Sequence, residues 1–286
     1  MKINTTAFIR YMALMLIIFS VMDIKAQNII YEQEDSIFIE KTIATYQARN
    51  YRIRGERVID IAKGFTGKDY VASTLDSYNN EPLFISTTKL DCTTFVETVL
   101  AIALCNHNEG FIDFCKNLEL IRYRNGKRNG YTSRLHYISW WVDDTAKQSL
   151  INEIETTQHT ARQELDLSFM SCQPEKYRHL NGNKQRTDEI VFFEKPYRGI
   201  EIKYIPKENI GKIDEAEIKD GDIIAIVTSI EGLDVSHIGF ACWQKGELHM
   251  IHASSAEEKV IFDPTSLETY LAKRKSHLGI RVFRAH

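Results

Sequence analysis

Hydrophobic and polar positions change rhythm twice along the chain. Asp35–Arg49 (DSIFIEKTIATYQAR) and Arg54–Phe65 (RGERVIDIAKGF) carry apolar residues at helical spacing and predict two amphipathic helices. Gly67–Leu75 reads as extended, Ser77–Glu81 as a polar loop and Leu83–Ile85 as a short strand. Phe95, Val96, Val99, Leu100 and Ala103 then give one buried face to a helix from Cys92 to about Asn106. A further helix covers Gly110–Leu120. Arg122–Tyr131 is a basic, turn-rich stretch, and its run to Arg128 reads as a solvated loop. Ser133–Tyr137 leads into a helix with Trp140 and Trp141 that ends near Lys147. Residues 148–200 are weakly patterned and read as an insertion of helices and loops over the core.

From Glu201 the period shortens. Glu201–Tyr204 is a short strand, Lys207–Lys212 a helical turn, and Lys219-Asp220-Gly221-Asp222 a turn signal. Ile223–Thr228 (IIAIVT) is a buried strand. His237–Trp243 and Glu247–Ala253 are two more, joined by the Gln244-Lys245-Gly246 turn. Lys259–Phe262 is a fourth, Leu267–Lys275 a helix, and Ile280–Arg284 closes the sheet. Helices first and consecutive antiparallel strands second predict an α+β fold.

The first residues stand apart from this pattern. Lys2 and Arg10 precede an apolar run of twelve, Tyr11–Met22, and Ala26-Gln27 fits a cleavage point. That is the layout of a secretory signal peptide, and the run is short for a membrane span. The expected organisation is therefore a signal peptide over 1–26 and one catalytic domain over 27–286. About 27–66 would be a helical prelude and about 122–200 an insertion. The expected location is periplasmic or extracellular, with no membrane attachment after cleavage.

Losing Lys2, Arg10, Lys25 and Asp23 moves the net charge from −3 to −5. A mildly acidic chain is a poor general binder of phosphate backbones, and no nucleic-acid partner is expected. Export permits disulfides, but five cysteines leave at least one thiol free. Cys105, Cys115 and Cys242 sit in apolar settings and read as small core residues.

Cys92 is the exception. Asp91 is a good N-cap, which places Cys92 in the first turn of its helix, among free N–H groups. The positive end of the helix dipole favours thiolate there, below the free-thiol pKa of about 8.5. A cysteine nucleophile needs a base, and that base needs orienting. His237 opens a strand and His252 lies on the neighbouring one. The tight turn at Lys245-Gly246 brings the two histidines together at the open end of the hairpin. His237 can then accept the Cys92 proton while His252 fixes its tautomer. A zinc site from the same three residues is the rival, but no two ligands are closely spaced, and no metal or cofactor is expected. His107, His159, His179, His249, His277 and His286 gain no role from their context.

Asp91-Cys92-Thr93-Thr94-Phe95-Val96 resembles the D-C-[ST]-x-F-V signature of NlpC-type cell-wall hydrolases, a papain-like superfamily. Ser236-His237-Ile238-Gly239-Phe240 resembles its H-[VI]-G strand, Met250–Ser254 its I-H-A-S strand, and Lys219–Asp222 its G-D turn. Within it, Tyr70-Val71-Ala72 with Thr74-Leu75, Leu90–Glu97 and Arg134-Leu135-His136-Tyr137 resemble the N-acetylmuramoyl-L-alanine amidase-like branch. The likeness runs, with gaps, from about residue 45 to 284.

The resemblance implies a papain-like core with the Cys92 helix packed on an antiparallel sheet. It implies Cys92 as nucleophile, His237 as base, His252 as third member and Tyr70 as an active-site hydroxyl near the oxyanion or substrate. Where the family has proline before that tyrosine, this chain has Asp69. The implied substrate is peptidoglycan or its fragments, cut between N-acetylmuramic acid and L-alanine. A γ-D-glutamyl endopeptidase and a non-catalytic muropeptide-binding module are the alternatives. Arg134, His136, Tyr137 and Trp140 can form a substrate wall of cationic and aromatic groups. The same helix can also pack its tryptophans in the core.

Overall fold

The computed structural model describes residues 28–49, 51, 54–154 and 159–286. The signal peptide expected over 1–26 lies outside the described residues. The strands are β1 (Ile29–Ile30), β2 (Asp69–Tyr70), β3 (Leu83–Phe84), β4 (Lys89–Leu90), β5 (Ile151–Glu153), β6 (Ala161–Asp166), β7 (Arg198–Pro206), β8 (Ile223–Thr228), β9 (Val235–Gln244), β10 (Glu247–Ser254), β11 (Lys259–Phe262) and β12 (His277–Ala285). One mixed sheet runs β4-β2-β11-β10-β9-β8-β12-β7-β6, with β5 joining β12. Its centre is antiparallel, as hairpin connections require, while β2 and β4 pair in parallel. The architecture is mixed α+β.

Alternation along the central strands sends side chains to two faces. Ile223, Ala225, Ile238, Phe240, Ile251 and Ala253 join the larger apolar cluster, together with the helices Gln33–Gln47, Arg54–Gly64 and Cys92–Ala103. Ile224, Ile226, Ala241 and Met250 face a second cluster with Leu267 and Leu271 of the helix Leu267–Ala272. A strand covered on both faces reads as a continuous apolar run, which is why IIAIVT lacks alternation.

The Cys92 helix is deeply enclosed, with every residue from Thr94 to Ala103 buried. Its one charged residue, Glu97, accepts from Arg122 Nε at 2.7 Å, and Arg122 Nη1 donates to the Phe84 carbonyl. Arg122 closes the helix Phe111–Arg122, so this buried ion pair joins the two helices.

Three expectations are corrected. The basic stretch is solvated only in part: Lys127 is exposed, but Arg122 is buried, Arg124 stacks on Phe193 and Trp140, and Arg128 donates to Glu119. Each of the three arginines finds a partner outside the stretch, which local pattern cannot reveal. Residues 148–200 are not simply helices and loops over the core, since β5, β6 and the start of β7 extend the sheet. Gly67–Leu75 is extended only at Asp69–Tyr70; Ser73 takes the left-handed region at φ 58° and Thr74–Ser77 form a 3-10 turn.

Candidate active site

Cys92 is the first residue of its helix. Asp91 Oδ1 accepts from the Thr94 N–H at 2.8 Å, and Thr94 Oγ1 accepts from the Asp91 N–H at 2.9 Å. This reciprocal box fixes where the helix starts. Three residues on, the Phe95 ring packs edge-on against Phe240, with centroids 5.6 Å apart. Phe240 lies three residues beyond His237, so one aromatic contact sets the thiol's helix against the histidine's strand.

The Ile238 N–H and Thr93 hydrogen-bond to the Cys92 sulfur and favour thiolate. Burial and then the Asp91 carboxylate outweigh them and push the thiol up to about 11. Burial thus opposes the thiolate that the helix dipole favours. His237 is pushed down to about 3, first by burial and then by His252, His277 and Arg274. Both values indicate a neutral thiol beside a neutral imidazole at pH 7.

β9 carries a one-residue irregularity at Ser236: Ile226 pairs with His237, but Val227 pairs with Val235. Such bulges re-aim the adjoining side chain. His237 Nε2 lies 2.7 Å from His252 Nδ1, with the rings nearly perpendicular. His252 Nε2 lies 3.4 Å from Asp263 Oδ2. Asp263 Oδ1 accepts from the Thr265 N–H at 2.8 Å. Burial raises the Asp263 pKa, but hydrogen bonds from His252 and Thr265 hold it below the usual carboxylate range.

An ionised carboxylate only accepts, so His252 carries its proton on Nε2 and its Nδ1 accepts from His237 Nε2–H. His237 Nδ1 is then left with a free lone pair. Gly239 makes room for this arrangement, because a Cβ there would come within 2.8 Å of the His252 Cβ and 2.7 Å of the Ile251 carbonyl oxygen.

Tyr70 pairs with Leu90 across the parallel β2–β4 contact, two residues before Cys92. Its phenol is pushed up by burial and by the charges of Cys92 and Asp91, which puts it within electrostatic reach of the thiol. The structure thus brings Cys92, His237, His252 and Tyr70 to one end of the sheet. A cleft of about 450 Å³ opens on the histidine side, lined by His237, His252, Ser254, Tyr270, Arg274 and His277 but not by Cys92 or Tyr70.

The Arg134 segment lies elsewhere in the chemistry. Arg134 Nε and Nη2 donate to the two oxygens of Glu81 at 2.9 and 2.8 Å, and Nη1 donates to Asp76 at 2.8 Å. Tyr137 donates to Glu194, His136 Nε2 meets the Tyr131 carbonyl at 2.9 Å, and Trp140 is fully buried. These side chains face the interior rather than forming a wall for substrate.

Sequence reasoning missed Asp263, Tyr270 and Arg274, and gave His277 no role. Asp263-Pro264 is a turn signal directly after a strand, and it was the available clue to Asp263. Tyr270, Arg274 and His277 come to the cleft only through tertiary packing.

Fold and site together define a mixed α+β protein with a helix-start thiol beside a hydrogen-bonded histidine pair. Residues 60–280 match the family model described as AmiA-like, N-acetylmuramoyl-L-alanine amidase-like, and the chain belongs to that family of hydrolases. Among solved structures, an N-acetylmuramoyl-L-alanine amidase from Bacteroides uniformis is 35% identical with TM-score 0.78, covering 81% of this chain and 98% of that one. A protein from Bacteroides fragilis named as a candidate xylanase is 43% identical with TM-score 0.75, covering 79% and 99%. A Legionella pneumophila protein, 23% identical with TM-score 0.66 over 88% and 95%, is alike in fold. No curated protein matches the chain.

Proposed function

We propose that this protein is an exported cysteine amidase of papain-like architecture. It hydrolyses the amide between N-acetylmuramic acid and L-alanine in peptidoglycan or its fragments. The observation that carries the reading is the hydrogen-bonded line from His237 through His252 to Asp263, beside the start of the Cys92 helix. Family membership and the Bacteroides uniformis amidase support the choice of bond.

His237 Nδ1 takes the Cys92 proton as the sulfur attacks the lactyl carbonyl. The imidazolium that forms is stabilised through His252 toward the Asp263 carboxylate. The Cys92 N–H, free in the first turn, and the Tyr70 hydroxyl stabilise the oxyanion, each worth about 2.7–4 kcal/mol if it acts as such donors do elsewhere. His237 then protonates the leaving amine of L-alanine as the C–N bond breaks. Water adds to the thioester, the sulfur leaves, and the thiol regains its proton. Because thiol and imidazole start neutral, proton transfer accompanies attack rather than preceding it.

Mass spectrometry of the products from a purified muropeptide tests the reading. The expected products are a free N-acetylmuramic acid end and a stem that keeps L-alanine. Products in which L-alanine stays on the sugar would instead indicate a γ-D-glutamyl endopeptidase.

A further inference from the structure

We infer that Arg274 and His277 form a carboxylate-reading subsite that selects substrates with free carboxylates on the peptide stem. The inference deepens the amidase reading and rests on it.

Among the described arginines, Arg274 alone has neither a hydrogen-bond acceptor nor an aromatic ring against its guanidinium. Yet it lines the cleft that holds His237 and His252. His277 lines the same cleft, is 4% exposed, and its Nδ1 is buried without a partner among the described residues. Its ring stacks on Tyr270 at 5.9 Å and 12°, which fixes its orientation. A buried imidazole nitrogen without a partner is costly unless a ligand completes it.

Lys273 adds a second positive charge to the lining, with Nζ 3.4 Å from Thr265 Oγ1. Of the acidic lining residues, Asp263 is occupied by His252 and Thr265, and Glu257 lies on an exposed turn. Arg274 and His277 both act electrostatically on His237, so the pair sits beside the reacting groups.

The chemistry of the substrate says which part this corner meets. The N-acetylated sugar is uncharged, and its lactyl carboxyl is consumed in the amide. The negative charges of a muropeptide lie on the stem, and a guanidinium is the side chain best suited to hold a carboxylate.

Calorimetry on the Cys92→Ala protein decides the matter without turnover. The probes are N-acetylmuramoyl-L-alanyl-D-glutamate and its neutral diamide, which has the same shape. The acid is expected to bind about tenfold tighter, with the ratio falling as salt rises. Arg274→Gln in the same background should bring the ratio close to one, and Arg274→Lys should restore part of it. Equal affinities in the parent, or a ratio that Arg274→Gln leaves unchanged, would overturn the subsite. In the active protein, Arg274→Gln should raise KM for the acid more than it lowers kcat. An enzyme that releases neither L-alanyl-D-glutamate from the acid nor its diamide from the neutral probe counts against the amidase reading, while the binding ratio still judges the subsite.

Discussion

His237 and His136 are both imidazoles pushed down to about 3, first by burial and then by neighbouring positive charge. Each spends Nε2 on one partner, and what differs is the company the ring keeps. His136 Nε2 meets the Tyr131 carbonyl, and its ring packs on the Tyr131 ring at 4.4 Å. His237 Nε2 meets His252, and the ring lies on the strand whose next residue, Ile238, hydrogen-bonds the Cys92 sulfur through its N–H. Burial and charge alone therefore would not distinguish the proposed base from a structural histidine. The distinction is an unspent lone pair next to a nucleophile, with a relay behind it.

The contrast can be broken at several points. Cys92→Ala should abolish stem-peptide release while leaving the fold intact, read by product analysis beside thermal unfolding; retained release would sink the mechanism. Arg134→Met should do the opposite. It strands Glu81 and Asp76 without their cation and should cost about 3–5 kcal/mol in denaturant unfolding, with the scissile bond unchanged in whatever protein remains folded. Asp263→Asn offers His252 a donor where it now meets a carboxylate, so kcat should fall about 10²-fold or more. An unchanged kcat would remove Asp263 from the relay.

Both histidines also couple stability to pH. Each ring is protonated below its ordinary 6.5 in the unfolded chain but stays neutral down to about 3 in the fold. The unfolded state thus binds more protons in that window, and stability falls as pH drops from 6.5 toward 3. His136→Gln should make the decline shallower, measured as Tm against pH, whereas a slope identical to the parent's would show that His136 contributes nothing.

Much of the site was legible because its parts are local. Asp91 before an apolar helix, and two strands joined at Lys245-Gly246, are short-range patterns that the structure reproduces as a helix from Cys92 and the β9–β10 hairpin. What escaped was decided by distant partners. The Arg134 side chain reads as a surface fork until Glu81 and Asp76 are seen to hold it. Arg122, Arg124 and Arg128 look solvated until Glu97, Phe193 and Glu119 are seen to meet them. The strands β5 and β6 are polar on their exposed side and carry little alternation, and their role appears only when β12 and β7 pair with them. Arg274 and His277 are unremarkable in sequence because nothing local marks a residue that waits for a ligand.

The parallel pairing of Tyr70 with Leu90 has a mechanical consequence. The Tyr70 N–H donates to the Glu258 carbonyl and the Val71 N–H to the Leu90 carbonyl. The lead-in to Cys92 is thereby stitched through β2 and β11 to the strands that carry both histidines. Thiol, phenol and imidazoles ride on one hydrogen-bonded fabric, and separating them means tearing strand from strand. The candidate site therefore behaves as a fixed jaw rather than a hinged one, and backbone amide exchange at Tyr70 and Val71 should be as slow as in the middle of the sheet.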